Sequence, residues 1–171
     1  GVRDIIMMLS KYHVSPERCL SVFKRFGTKS AELIKINPYI LCEDGIDFRF
    51  ETAEEIAEDF SFDKGSELRI CAGIEYILRK NLLNGHTCLP AEKLTEVAVR
   101  LLECKRETVE ICTERLVDSF RIKEKSVNGT EYIFLPEYYS AEEHIAARLI
   151  SVKRYIDSSV TVDSLEIENV E

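Results

Sequence analysis

The dipeptide Asn128-Gly129 restricts the fold of this chain more than any other feature of its sequence. It separates two β-prone runs, residues 120–127 and 130–135, and Asn-Gly favours the tight turn of a two-residue β-hairpin. A turn of that length also predicts which residues face each other across the strands: Val127 and Thr130, Lys125 and Tyr132, and Lys123 and Phe134.

Most of the remaining chain shows helical spacing of apolar residues, interrupted by start and stop signals. Ser15-Pro16 predicts a helix start, and Gly27 predicts where that helix ends. After residue 86 the order is short strand, helix, helix and hairpin, which is the order of a winged-helix unit. We therefore predict a mainly α fold, with a helix-hairpin-helix-type helical cluster followed by a winged-helix-like unit with a small β-hairpin.

The same signals divide the chain into four predicted segments. These are a degenerate helix-hairpin-helix region at residues 1–62, a connecting helix at 63–85, the winged-helix-like unit at 86–136, and a helix with an acidic linker at 137–171. Capping-box patterns predict helix starts at Thr52 and Ser140, and the second of these helices is expected to run to about Tyr155.

Composition narrows the class of protein. Hydrophobic residues make up 45% of the chain, which is enough for a buried core, and no apolar run approaches the roughly 18 residues of a membrane span. None of the six cysteines forms a CxxC pair, so we expect buried free thiols, no metal site and a cytoplasmic location. A phosphate-binding loop and other catalytic motifs are also missing, so we expect no cofactor and no catalysis in this chain.

The charge of the chain is unevenly distributed. The net charge is −8, from 23 basic and 31 acidic residues, which argues against a broad electrostatic binder of nucleic acid. Acidic residues are concentrated in residues 51–67 and 157–171, and the remainder carries about three positive charges. Any contact with DNA is therefore expected to be local.

The turn from His13 to Pro16 resembles a helix-hairpin-helix turn in which both glycines are replaced, by His13 and Ser15. In that motif, backbone N–H groups at a helix N-terminus bind a DNA phosphate without reading sequence. The candidate DNA-binding residues here are Ser15, Arg18, Lys24, Arg25 and Lys29. The alternative is a purely structural helical hairpin with solvated basic side chains.

A second turn, from Gly45 to Phe48, resembles the same motif. Asp47 stands where the second glycine would be, and a carboxylate at that point would repel phosphate. We therefore predict that this turn serves packing only.

The β-hairpin is the third candidate. Because side chains alternate along a strand, one face is predicted to carry both basic and aromatic residues: Arg121, Lys123, Lys125, Tyr132 and Phe134. Such a face suits single-stranded nucleic acid, in which bases stack on rings and phosphates pair with cations. The alternative is that the rings pack on the helices and that lysine stems cover them.

Several short strings, taken in order, resemble the N-terminal region of bacterial RecD-like DNA helicases, the RecD/TraA family that includes the exodeoxyribonuclease V alpha subunit. The most specific are Arg69-Ile70-Cys71-Ala72-Gly73-Ile74 and Gly85-His86-Thr87-Cys88-Leu89-Pro90. Others are Phe23-Lys24-Arg25-Phe26-Gly27, Asn37-Pro38-Tyr39, and Tyr132-Ile133-Phe134-Leu135-Pro136. The resemblance covers about residues 2–155.

This resemblance implies a helix-hairpin-helix region and a winged-helix-like segment that precede two RecA-like motor domains. In the family, the motor uses ATP and magnesium to move 5′ to 3′ along single-stranded DNA, and we expect this chain to end before it. The expected function is a non-catalytic, sequence-independent DNA-binding accessory region in recombination or repair. Its expected partners are single-stranded or forked DNA and the motor domains of its own helicase, with no membrane. The alternative is a protein-interaction or scaffolding module without DNA contact.

Overall fold

The computed structural model describes residues 1–43, 45–46 and 48–167, with side chains as far as residue 154. Four helices form the N-terminal part: α1 (Val2–Leu9), α2 (Pro16–Phe26), α3 (Ser30–Ile36) and α4 (Phe50–Asp59). The longer α5 (Glu67–Leu83) leads to β1 (Cys88–Pro90), α6 (Ala91–Leu102), α7 (Arg106–Asp118), β2 (Lys123–Val127), β3 (Thr130–Phe134) and α8 (Pro136–Ile167). Short 3-10 turns lie at Ser10–Tyr12, Gly27–Lys29 and Pro38–Cys42. The predicted mainly α fold with a small hairpin is confirmed.

Local signals account for α2 and for the β-hairpin. Ser15 caps α2, its hydroxyl accepting a hydrogen bond from the Arg18 backbone N–H at 3.4 Å, and Pro16 occupies the first helical position. Asn128 and Gly129 have φ values of 52° and 79°, the left-handed conformations that the tight turn requires. The predicted register of the hairpin is confirmed, and β1 pairs with β3 to complete an antiparallel sheet in the order β1-β3-β2.

Both predicted capping boxes are wrong. Helix α4 begins at Phe50, which is buried, so Thr52 already lies inside the first turn. Helix α8 begins at Pro136, whose fixed φ suits a first helical position, and the Ser140 hydroxyl donates to the Pro136 carbonyl instead of capping the helix. This helix also continues to Ile167 rather than ending near Tyr155. Residues 168–171 of the predicted acidic linker lie outside the described residues.

The buried side chains form two clusters that meet at α4. The first cluster joins α1 to α4 and includes Leu9, Val22 and Ile34. The second joins α4, α5, α6, α7 and the sheet. Ile56 belongs to the first cluster, while Ala53 and Ala57, on a neighbouring face of the same helix, belong to the second. Helix α4 therefore contributes buried side chains to both clusters.

The cysteines contribute to these clusters as small apolar side chains. Cys19, Cys42, Cys71 and Cys112 are buried, as predicted for free thiols. Burial raises the pKa of the Cys42 and Cys71 thiols to about 12, so both are protonated and unreactive at neutral pH. Among the described residues, no helix is both long enough and apolar enough to cross a lipid bilayer.

An ion pair with a buried arginine joins three helices. The Arg69 side chain, on α5, donates from Nε and Nη2 to both carboxylate oxygens of Glu54 on α4, at 2.8 and 2.7 Å. Its Nη1 donates to the Leu102 carbonyl at the end of α6, at 2.9 Å. Tyr39 donates its hydroxyl hydrogen to Glu54 at 2.6 Å. Burial opposes ionisation of Glu54, but the hydrogen bonds from Arg69 and Tyr39 outweigh it and hold the pKa of that carboxyl below its ordinary value.

Helices α5 and α6 touch at Gly73. A Cβ at this position would lie 2.5 Å from Leu102 Cδ2 and 3.0 Å from its Cδ1, and Leu102 is itself buried. Any larger residue at this position would force the buried Leu102 side chain to move. Arg69 and Gly73 belong to the same sequence string, and both lie against Leu102. Arg69 donates a hydrogen bond to the Leu102 carbonyl, and Gly73 lies beneath the Leu102 side chain.

Replacing Arg69 with alanine should lower the free energy of unfolding by on the order of 3 kcal/mol, because Glu54 and the Leu102 carbonyl lose a shared donor. Urea denaturation measures the loss. The matched control is Arg106→Ala, which breaks an exposed pair with Glu92 and should change stability little. Equal costs for the two variants would contradict a central role for Arg69.

Gly73→Ala should destabilise the protein by about 1–2 kcal/mol, since overpacking against Leu102 exceeds the gain in helix propensity. The same substitution made in a Leu102→Ala background should cost much less, because the clashing side chain is gone. Urea denaturation of the four proteins measures this coupling. The close-approach explanation fails if Gly73→Ala costs the same in both backgrounds.

Candidate nucleic-acid interface

The first hairpin, the helical turn at residues 13–16, lies where the sequence predicts it. The start of α2 offers few free backbone N–H groups that could bind a phosphate. His13 adopts a left-handed conformation, with φ of 56°, and turns the chain into α2. Pro16 has no N–H, and the Arg18 N–H already donates to the Ser15 hydroxyl. Glu17 adds a carboxylate in the same first turn. Backbone binding of a phosphate is therefore weaker here than in a glycine-containing hairpin, and basic side chains become more important.

The five candidates around this hairpin fall into separate groups. Ser15 and Arg18 line a depression of about 320 Å³ together with Arg49 and the acidic Glu55. The Arg18 guanidinium lies 5.6 Å from the centre of the Phe48 ring.

The other three candidates lie beyond the start of α2. Lys24 and Arg25 lie roughly 9 Å farther along the helix, beside Gly45 and Ile46 of the second turn. Arg25 approaches Glu43 at 4.0 Å, and Lys29 is exposed in the 3-10 turn after α2. The five residues therefore do not form one site.

The second turn packs, as predicted. Ile46 and Phe48 are buried, and Gly45 has a φ of 79°, which is a conformation that glycine adopts readily. Asp47, whose carboxylate was predicted to repel phosphate, lies outside the described residues.

Helix α8 packs against the predicted basic and aromatic face of the β2–β3 hairpin, although Lys123 and Lys125 stay exposed. The ring of Phe134 is buried and packs edge-on against Tyr139 at a centroid distance of 5.3 Å. The ammonium groups of Lys123 and Lys125 lie 4.2 and 5.1 Å from the centre of the same Tyr139 ring. Lys125 also approaches Glu143 at 3.9 Å. This arrangement matches the alternative in which rings pack and lysines cover them, although Tyr132 stays half-buried.

Arg121 does not belong to the strand face. Strand β2 begins at Lys123, not at residue 120 as predicted, so strand alternation does not apply to Arg121. Its guanidinium instead donates to Glu75 on α5 at 2.7 Å. Burial raises the pKa of the Glu75 carboxyl, and the charge of Arg121 partly offsets that rise.

Contacts within the protein therefore neutralise part of the hairpin's charge. The contact with Tyr139, assisted by Glu143, raises the pKa of Lys125, so this lysine is charged at neutral pH. Its charge is shared with a nearby carboxylate, however, as is the charge of Arg121. A single strand that reached this face would compete with these contacts for the same cations.

The sequence reasoning missed another group of cations. Arg49, Arg79 and Lys80 line a cleft with the rings of Tyr76 and Tyr138. The available signal was the spacing of Tyr76, Arg79 and Lys80, which places an aromatic ring and two cations one turn apart on α5. The sequence prediction for α5 used only the apolar residues on its buried face.

Comparison with known proteins agrees with this architecture. The family model described as the ATP-dependent RecD2 DNA helicase HHH domain matches residues 1–88, just over half of the chain, from α1 to the start of β1. No match was found among curated proteins. The matched region contains the first hairpin, the second turn and the Arg69–Gly73 string, and the chain therefore belongs to the ATP-dependent RecD2 DNA helicase HHH domain family.

Proposed function

We propose that this chain is a non-catalytic, sequence-independent DNA-binding accessory region of a 5′–3′ ATP-dependent DNA helicase. It guides or separates strands in recombination or repair. Its partners are single-stranded or forked DNA and the RecA-like motor domains of the same helicase, which use ATP and magnesium. The observation that carries the proposal is the match to a helix-hairpin-helix family. The matched region includes the first hairpin, whose Ser15 and Arg18 line one depression together with Arg49.

The chemistry of this depression explains why binding would ignore base sequence. A serine hydroxyl and guanidinium groups both recognise phosphate, which is the same at every nucleotide. Nearby carboxylates, such as Glu17 and Glu55, limit the attraction. Weak contacts of this kind suit a region that must release a moving strand, while the motor holds it.

A protein-docking function is the second candidate, and α8 favours it. Beyond its first turns this helix exposes an apolar stripe, in which Ile145, Leu149 and Val152 are 57%, 65% and 52% exposed. Their spacing places them on one side of the helix. A stripe of this kind suits a protein partner, such as the motor domains of the same helicase.

Fluorescence anisotropy with labelled single-stranded, duplex and forked DNA, each in two unrelated sequences, tests the proposal. We expect binding that prefers single strands or forks, is indifferent to sequence and weakens steeply between low and near-physiological salt. Binding that is absent even at low salt would favour the docking function instead.

Reversing the charge of the hairpin with Lys123→Glu and Lys125→Glu should weaken binding of single strands. The salt dependence of log K should fall by roughly 1 for each phosphate contact that is lost. A double variant with the same change in net charge, Lys35→Glu with Lys105→Glu, is the control, since both lysines are exposed and distant in sequence from the hairpin. If the two double variants bind equally well, the β2–β3 hairpin does not contact the strand.

A further inference from the structure

A cleft of about 370 Å³ opens between the N-terminal helices and the end of α5. One wall is the segment that precedes α4, with Arg49. A second wall is the last turns of α5, with Tyr76, Arg79 and Lys80, and Tyr138 of α8 closes one side. Arg49, Arg79 and Lys80 are not among the DNA-binding residues predicted from the sequence, and they belong to neither buried cluster.

The described residues that line the cleft carry a net positive charge, although the protein as a whole is acidic. None of the described residues that line it is acidic, and within the described part of the chain Arg49, Arg79 and Lys80 form no salt bridge. Arg79 is close enough to Glu75 to lower the pKa of its carboxyl, but that carboxylate already accepts a hydrogen bond from Arg121. Glu75 therefore offsets the charge of only one of its two neighbouring arginines, Arg79 and Arg121, and this group keeps a net positive charge.

The charges around the cleft act on the Cys42 thiol with opposite signs. Glu51 and Glu54 raise the pKa of the Cys42 thiol at the cleft, while Arg79 lowers it, and burial exceeds all three effects. Glu54 is bound on both oxygens by Arg69, so its charge is largely compensated.

Aromatic and apolar surfaces lie beside the cations. The Tyr76 ring packs against Phe50 at a centroid distance of 5.5 Å, which holds it in place, and the Lys80 ammonium lies 5.4 Å from its centre. Tyr138 is 38% exposed, and Leu83 is 80% exposed at the edge of the cleft. A held ring beside cations that form no salt bridge in the described part of the chain is the combination that binds a stacked base and its phosphate.

The size of the cleft fits a small part of a strand. Its volume is near the lower end of the range for small-ligand sites, about 300–1,000 Å³. A base with its sugar fills a space of that order, and paired bases of a duplex are not free to enter it. A cleft of this size therefore suits an unpaired nucleotide better than a base pair.

The cleft is continuous with the first hairpin. Phe48 and Arg49 line both the cleft and the depression that contains Ser15 and Arg18. A strand whose phosphate lies at the start of α2 can thus continue past Arg49 to Arg79 and Lys80 without leaving the surface.

We propose that single-stranded DNA binds along this path, with an unpaired base stacked between Tyr76 and Tyr138 and the adjoining phosphates at Arg49, Arg79 and Lys80. The proposal rests on the proposed DNA-binding function and assigns it a surface. It moves the main contact from the β2–β3 hairpin to the junction of α4, α5 and α8.

The test measures binding of a roughly 12-nucleotide oligothymidine to the full chain by anisotropy. The variants are Arg79→Ala with Lys80→Ala and, separately, Tyr138→Ala, none of which removes a buried side chain. We expect about tenfold weaker binding for each, as for loss of one stacked base or its phosphates. Lys35→Ala with Lys105→Ala is the charge-matched control and should bind as the unaltered chain does.

Photocrosslinking locates the strand independently. An oligothymidine that carries iododeoxyuridine should crosslink to Tyr76 or Tyr138, as mapped by mass spectrometry of the peptides. Free thymidine monophosphate in large excess should not displace the strand.

The outcomes separate this inference from the proposed function. If the unaltered chain binds the strand and the cleft variants bind equally well, the cleft is not the site and the proposed function stands. If the unaltered chain does not bind at all, both are wrong. Displacement by the free mononucleotide would make the cleft a nucleotide pocket and would overturn the strand path.

Discussion

The ion pair between Arg69 and Glu54 is the contact on which the arrangement of the helices depends. The Arg69 side chain is only 7% exposed, and both carboxylate oxygens of Glu54 accept hydrogen bonds from it. The pair joins α4 to α5, and Arg69 also joins α5 to the end of α6. Because an unpaired buried charge is costly, the helices must meet at one angle and register for the pair to form. The same constraint places Arg49, before α4, opposite Arg79, at the end of α5.

Features that depend on neighbouring residues could be predicted from the sequence. Asn128-Gly129 requires left-handed backbone at both positions, and the register of the hairpin follows from that turn alone. Ser15-Pro16 likewise predicts its own helix start. Thr52 and Ser140 carried equally good capping patterns, but burial of Phe50 and the placement of Pro136 after β3 started those helices earlier. Tertiary packing prevailed over the local signal at Thr52, whereas a second local signal, Pro136, prevailed over the one at Ser140.

The candidate interface was harder to predict because its electrostatics depend on residues far apart in sequence. Strand alternation correctly placed Lys123, Lys125 and Phe134 together, but it contains no information about Tyr139 and Glu143, which cover them. Arg121 and Glu75 are 46 residues apart. The cations of the cleft, which form no salt bridge among the described residues, are recognisable only once the paired cations are known, so the proposed binding surface follows from the fold and not from composition.

The position of α4 between the two buried clusters has a consequence for folding. Ile56, in the first cluster, and Ala57, in the second, are held by the same ten-residue helix, so neither cluster can open without exposing part of the other. The N-terminal helices and the segment around the sheet should therefore melt as one cooperative unit. A proteolytic cut near residue 62 would divide a single thermodynamic domain and leave no half with a complete core.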